Sequence, residues 1–119
     1  MATLLNPASA CAYYNLGSAY HRQRQYNKAD KAYLKAIELR PDYAEAYTNY
    51  SASLFSQGKV KEAILHCKKA IEINPRLAEP YYALSRCFRK EGKITEAEKM
   101  MRKAKELGFK KSQLYKQEK

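Results

Sequence analysis

With 119 residues, 45% of them hydrophobic, the chain has the length of one domain and enough apolar material for a continuous core. Its net charge of +11, from 23 Lys and Arg against 12 Asp and Glu, favours acidic partners. No run approaches the roughly 18 apolar residues that span a bilayer, and the opening MATLLNPAS lacks the charged start and apolar stretch of a secretory signal.

In chain order, residues 1–9 read as a stub, with Leu5, Asn6 and Pro7 where a preceding unit would end; the alternative is a native terminus. Three blocks of 34 residues then lie in register, 10–43, 44–77 and 78–111. In the first, Tyr13, Leu16 and Tyr20 are spaced three and four apart, which gives one apolar helical face. Ala29, Tyr33, Ala36 and Ile37 form a second such face, and Pro41 follows it as a terminator. Arg24 stands between the two faces, where a left-handed residue would end the first helix, at the cost of modest strain. The second block repeats the plan with Tyr47, Leu54, Ala63 and Ala70, broken by Gly58 and closed by Pro75. The third has Tyr81, Phe88, Ala97 and Ala104, broken by Gly92, with Phe109 in place of the closing proline. Pro80 falls in the first turn of its helix, where no backbone donor is lost. Six helices are predicted. Residues 112–119, with Leu114 and Tyr115, form a further stub or a capping helix.

Large apolar residues and alanines that recur in register over three blocks mark a stacked repeat rather than a single globular core. The first block carries Tyr13, Leu16, Gly17, Tyr20, Ala29, Tyr33, Ala36 and Pro41, and with them the chain resembles the tetratricopeptide repeat family from end to end. The second block relaxes the pattern, with Tyr50 and Ser51 at the usual Leu and Gly places and Cys67 at an aromatic one. The resemblance implies an all-α fold: a right-handed α-solenoid of three helix-turn-helix repeats plus the C-terminal stub or capping helix. It also implies a concave groove lined by the first helix of each repeat.

Nothing in the chain reads as a catalytic constellation, a cofactor loop or a metal-ligand spacing. His21 and His66 lie on different helices of different blocks and read as surface or groove side chains. Cys67 and Cys87 fall at core places, and Cys11 near the groove edge. Three unpaired thiols suit a reducing compartment, cytoplasmic or nuclear. Of the eleven tyrosines, Tyr13, Tyr20, Tyr26, Tyr33, Tyr47, Tyr50 and Tyr81 occupy packing places, which leaves Tyr14, Tyr43, Tyr82 and Tyr115 for the surface.

Function is therefore expected on the groove. The resemblance places Tyr14, Asn15, Ser18 and Arg22 there from the first block, Thr48, Asn49 and Phe55 from the second, and Tyr82, Arg86 and Arg89 from the third. Asn15 and Asn49 share one register. A carboxamide both donates and accepts, so such a ladder can hold the backbone of an extended peptide, although it stops at Ala83. Arg22, Arg86, Arg89 and Lys90 add cations suited to carboxylate or phosphate. Relatives that clamp the acidic tails of heat-shock chaperones need Lys and Asn where this chain has Tyr14 and Ser18. They need Lys and Arg where it has Glu79 and Ala83, and only Asn49 complies. A conventional carboxylate clamp is not expected.

The charge is uneven: +3 over 1–43, +2 over 44–77 and +6 over 78–119. The expected function is a non-enzymatic protein-interaction scaffold that binds an extended, acidic peptide segment of a partner. One alternative is nucleic-acid or phosphate binding by the basic C-terminal face, with Glu96, Glu98 and Glu106 interspersed among its lysines. Another is the substrate-selecting repeat segment of a larger protein or enzyme. Self-association through the solenoid ends is a further expectation.

Overall fold

The computed structural model describes residues 7–108. They form six helices: α1 (Pro7–Arg22), α2 (Tyr26–Leu39), α3 (Ala44–Ser56), α4 (Val60–Ile73), α5 (Ala78–Lys90) and α6 (Ile94–Glu106). The expected stub and the first helix differ at their boundary: Pro7 opens α1, a first-turn place where its missing N–H costs nothing. The readings that involve Leu5, Asn6, Phe109, Leu114 and Tyr115 lie outside the described residues.

Short connections force each helix to run antiparallel to the one before it. Three antiparallel pairs, α1–α2, α3–α4 and α5–α6, stack through α2 on α3 and α4 on α5, and α1, α3 and α5 line up as an inner row. The result is an elongated helical solenoid, 48 × 32 × 28 Å. The periodic alanines Ala29, Ala36, Ala63, Ala70, Ala97 and Ala104 all have 0% exposure. Only a methyl group fits where two helix backbones approach this closely, so the sequence register of these alanines is the packing register of the solenoid.

The turn inside each repeat is one motif used three times. Gly58 and Gly92 have φ of +82° and +81°, and their N–H groups donate to the carbonyls of Phe55 and Arg89. The following residues, Lys59 and Lys93, donate to Leu54 and Phe88 at 2.9 Å, which closes the helix C-terminus in a Schellman arrangement. In the first repeat Arg24 N–H donates to the His21 carbonyl and Gln25 N–H to that of Tyr20, but the turn residue carries a side chain at φ 63°. An L-residue in that region costs about 1–2 kcal/mol, partly offset because glycine there would lose more chain entropy on folding. Arg24→Gly should therefore raise the thermal midpoint by a few degrees; a midpoint below that of the parent chain would refute the strain.

The tyrosines divide differently from the sequence expectation. Tyr43, expected at the surface, is buried and packs with Ala10, Ala36 and Ala46 beside Tyr14. Tyr13 and Leu16, expected to pack, are 36% and 42% exposed. Tyr81, the counterpart of Tyr13, is buried in a cluster with Ile71 of α4 and Ala104 of α6, whereas no described helix precedes α1. Tyr20 and Tyr26 are half-buried. Cys67 and Cys87 are buried and free as expected, and Cys11 is exposed.

His66 lies between Tyr47 and Tyr50, with ring centroids 6.1 and 4.7 Å away. Burial lowers its pKa below the ordinary value of 6.5, and Glu62 only partly opposes this. Burial lowers His21 as well, against Asp30. The unfolded chain thus takes up protons before the folded one as pH falls, so stability is full above the unfolded pKa and declines below it. The thermal midpoint should drop between about pH 7.5 and about pH 5.5, and His66→Gln should flatten part of that slope. A midpoint constant across this window would contradict the assignment.

Candidate peptide-binding groove

The inner row is built from the exposed and half-exposed faces of α1, α3 and α5. Two neighbouring cavities run along it. One, of 240 Å³, is bounded by Tyr14, Glu45, Thr48, Asn49, Leu77 and Glu79. The other, of 190 Å³, lies between α3 and α5 and is lined by Thr48, Asn49, Ala52, Phe55, Glu79, Tyr82, Ala83 and Arg86, with Ser51 and Cys87. They share Thr48, Asn49 and Glu79, so the two form one trough across all three repeats.

Of the residues read from the sequence as groove-lining, Tyr14, Thr48, Asn49, Phe55, Tyr82 and Arg86 are brought together in this trough. Ser18 joins them through hydrogen bonds. The Asn49 amide donates to the Tyr14 hydroxyl at 3.0 Å and to Ser18 Oγ at 3.3 Å. Tyr33 donates to the same Ser18 oxygen at 3.4 Å, and the Tyr14 ring packs on Tyr33 and Tyr43 at 6.2 and 5.1 Å. Asn15, Arg22 and Arg89 are exposed and stand outside the two cavities.

This hub changes the reading of the asparagine ladder. Both donors of Asn49 are spent inside the protein, which leaves its carbonyl oxygen as the group available to a ligand's N–H. Asn15, exposed, keeps its whole carboxamide for an outside partner. The hub also explains why the clamp positions differ: Tyr14 and Ser18 are structural here, tying α1 to α3. Burial, then Glu45, raises the Tyr14 pKa, with Glu79 adding to it and the Asn49 bond opposing. The hydroxyl is therefore a neutral hydrogen-bonding group, and the two carboxylates sit within electrostatic reach of it.

Arg86 is held by stacking. Its guanidinium lies 4.6 Å from the Phe55 ring centroid and 5.9 Å from that of Tyr82. This cation–π contact leaves guanidinium N–H groups able to donate. None of the four ion pairs among the described residues involves Arg22, Arg86, Arg89 or Lys90. Glu45 and Glu79 occupy the first turns of α3 and α5, whereas Arg22, Arg89 and Lys90 occupy the last turns of α1 and α5. Because α1, α3 and α5 run parallel, the trough has an acidic margin on one side and a basic margin on the other. Each charge also complements its helix dipole, which is reason enough for its place in the fold.

From sequence, Glu79 and Ala83 served only to exclude a clamp and to end the asparagine ladder, and Glu45, Ser51, Ala52 and Cys87 had no assigned part in the wall. Repeat register gives those positions, but not that two alanines on adjacent helices leave a hollow. No group of three or more His, Cys, Asp or Glu suited to a metal ion occurs among the described residues.

Two family models, both described as Tetratricopeptide repeat, match residues 8–76 and 54–116. No curated protein matches the chain by sequence. Among solved structures, a crystal structure of MamA is 34% identical with a TM-score of 0.78, covering 92% of this chain and 64% of its own. A second MamA structure is likewise 34% identical, with a TM-score of 0.76 and coverage of 92% and 60%. The chain thus spans less than two-thirds of the length of these relatives. The first TPR of Spaghetti (RPAP3), solved bound to the HSP90 peptide SRMEEVD, has a TM-score of 0.83 at 23% identity, covering 87% of this chain and 82% of its own. The 34-residue register, the stacked helix pairs and the two family matches agree: the chain belongs to the tetratricopeptide repeat family.

Proposed function

We propose that this chain is a protein-interaction scaffold whose α1–α3–α5 trough holds an extended peptide segment of a partner, with acidic groups of that segment on the basic margin. The observation that carries the reading is the continuity of the two cavities across three repeats. Around them stand an exposed carboxamide at Asn15, an open carbonyl at Asn49 and a stacked cation at Arg86. Repeats of this family are typically non-enzymatic interaction modules, which fits the lack of a catalytic constellation in the sequence. The neighbour solved with an HSP90 peptide supports a peptide ligand for such a surface. Tyr14, Ser18, Glu79 and Ala83 argue against the same clamp chemistry here.

The alternative, nucleic-acid or phosphate binding, rests on the hollow formed by Lys99, Arg102 and Lys103 of α6 with Tyr81 and Met100. Glu106 stands in the same hollow and weakens it as a phosphate site. A substrate-selecting segment of a larger protein is compatible with the trough and uses the same residues. No helix among the described residues is long and apolar enough to cross a membrane, and three free thiols suit a reducing compartment such as the cytoplasm.

The test is partner capture from a nuclease-treated lysate at physiological salt. The parent chain is compared with Asn15→Ala/Arg86→Glu, which leaves the Asn49 hub intact, and with the triple variant that adds Asn49→Ala. Proteins held by the parent and lost by the double variant at unchanged helicity are expected. Identical captured sets for parent and variants would refute the groove.

A further inference from the structure

We infer that the hollow between α3 and α5 is a socket for one apolar side chain of the bound peptide, and that the margins around it read the polarity of the residues on either side. The inference rests on the peptide-groove reading above and specifies its ligand: a segment with an aliphatic or aromatic anchor, an acidic residue on one flank, and a neutral or basic residue on the other. It is not a uniformly acidic tail.

The socket exists because two side chains are short. Ala52 of α3 and Ala83 of α5 both line it, at the seam of the second and third repeats. Ala83 holds the register at which the first two repeats carry Asn15 and Asn49. A carboxamide there would project into the hollow; the alanine methyl leaves it open. The walls are the Phe55 and Tyr82 rings, and Cys87, a buried thiol, closes one side. At 190 Å³ the space exceeds the roughly 150 Å³ of an apolar cavity that accepts benzene. A leucine, methionine or phenylalanine side chain is of the right size. An apolar occupant is favoured over a solvated one because the lining is mostly ring and methyl surface.

Direction comes from charge. Along α5, Glu79 stands one turn before Tyr82 and Ala83, and Arg86 one turn after them. The guanidinium of Arg86 is fixed over Phe55 at 4.6 Å at the mouth of the socket, with Arg89 and Lys90 beyond it. At the other end Glu79 is joined by Glu45, and both act on the Tyr14 hydroxyl. A carboxylate beside the anchor gains a bidentate partner on the Arg86 side and meets two like charges on the Glu79 side. One peptide orientation is therefore favoured, and the Asn49 carbonyl at the shared wall of the two cavities takes a backbone N–H from the segment.

The probe is a display library of short random peptides selected on the immobilised parent chain. Enriched sequences should carry a Leu, Ile, Met or Phe with Asp or Glu on one constant side and a deficit of acids on the other. Ala83→Leu fills the socket and should weaken the selected peptides by at least about tenfold, the scale of a blocked apolar pocket. Ala83→Asn, which reinstates the carboxamide of the first two repeats and so suits the fold, should weaken them similarly. Arg86→Glu should exchange the acidic preference for Lys or Arg without removing the apolar anchor. If selected peptides are lost on Asn15→Ala/Asn49→Ala but bind both Ala83 variants undiminished, the socket is refuted while the groove stands. If nothing is enriched above the bare support, the groove falls and the socket with it.

Discussion

Replacing Gly17 with alanine should destabilise the chain by about 1–3 kcal/mol, although alanine is the better helix former by about 1 kcal/mol. A Cβ at Gly17 would sit 2.7 Å from two atoms of the Tyr33 ring. That ring has 0% exposure and no room to retreat. The three repeats show the rule behind this contact. The register of Gly17 holds Ser51 and Ser85 in the later repeats, and the register of Tyr33 holds Cys67 and Met101. Where the partner is a ring, only glycine fits; where it is a thiol, a serine fits, and Ser51 Oγ lies 3.0 Å from Cys67 Sγ. Tyr33→Cys alone should cost about 3 kcal/mol or more through the cavity left behind. Gly17→Ser with Tyr33→Cys transplants the second repeat's pair and should be less destabilised than the sum of its singles, with a coupling of about 1–3 kcal/mol. Urea titration of the four chains of the cycle measures it. Strict additivity would mean that the pair does not act as a unit. In the third repeat the buried Ser85 hydroxyl has no hydrogen-bond partner among the described residues, which is the poorest of the three solutions.

Leu54→Ala should have the largest effect of any aliphatic truncation, about 2–5 kcal/mol. Leu54 is 1% exposed and packs with Ala63 and Cys87, flanked by Tyr50, Phe55, Val60 and Ile64. Its counterparts Tyr20 and Phe88, in the outer repeats, are only half-buried. A solenoid is stabilised by contacts between nearest neighbours, and the middle repeat has two such interfaces where each outer one has a single interface among the described residues. Against a typical total of about 5–15 kcal/mol, the loss removes much of the margin of a three-repeat array. Ile94→Ala, at a residue 44% exposed, is the control and should cost less than about 1 kcal/mol. A Leu54→Ala midpoint as mild as that of Ile94→Ala would contradict the account of the core.

The register of the core was legible in the sequence because backbone approach admits one residue type: the periodic alanines are buried to the last one described. The turns were legible for a similar reason, since a positive φ selects glycine, and Arg24 was visible as the departure from it. Residues whose environment depends on a neighbouring repeat were not. Tyr13 has the same local pattern as Tyr81, yet one is exposed and the other is buried in a cluster that Ile71 of the preceding repeat joins. Tyr43 is buried by Tyr14, from the far end of its own repeat. At the site, register gave the groove-facing positions, but the state of Asn49 is decided by hydroxyls on α1 more than thirty residues away. The hollow at Ala52 and Ala83 is made of absent atoms, which leave no motif.

On the proposed function the inner row, and not the basic outer face, receives the partner. The most direct measurement is a titration of the isotope-labelled chain with a captured or selected peptide, followed by amide and side-chain chemical shifts. Shifts are expected at Asn15, the Asn49 carboxamide, Phe55, Tyr82, Ala83 and Arg86, with α6 amides from Lys99 to Lys105 unmoved. Shifts confined to α6, with the trough silent, would contradict it.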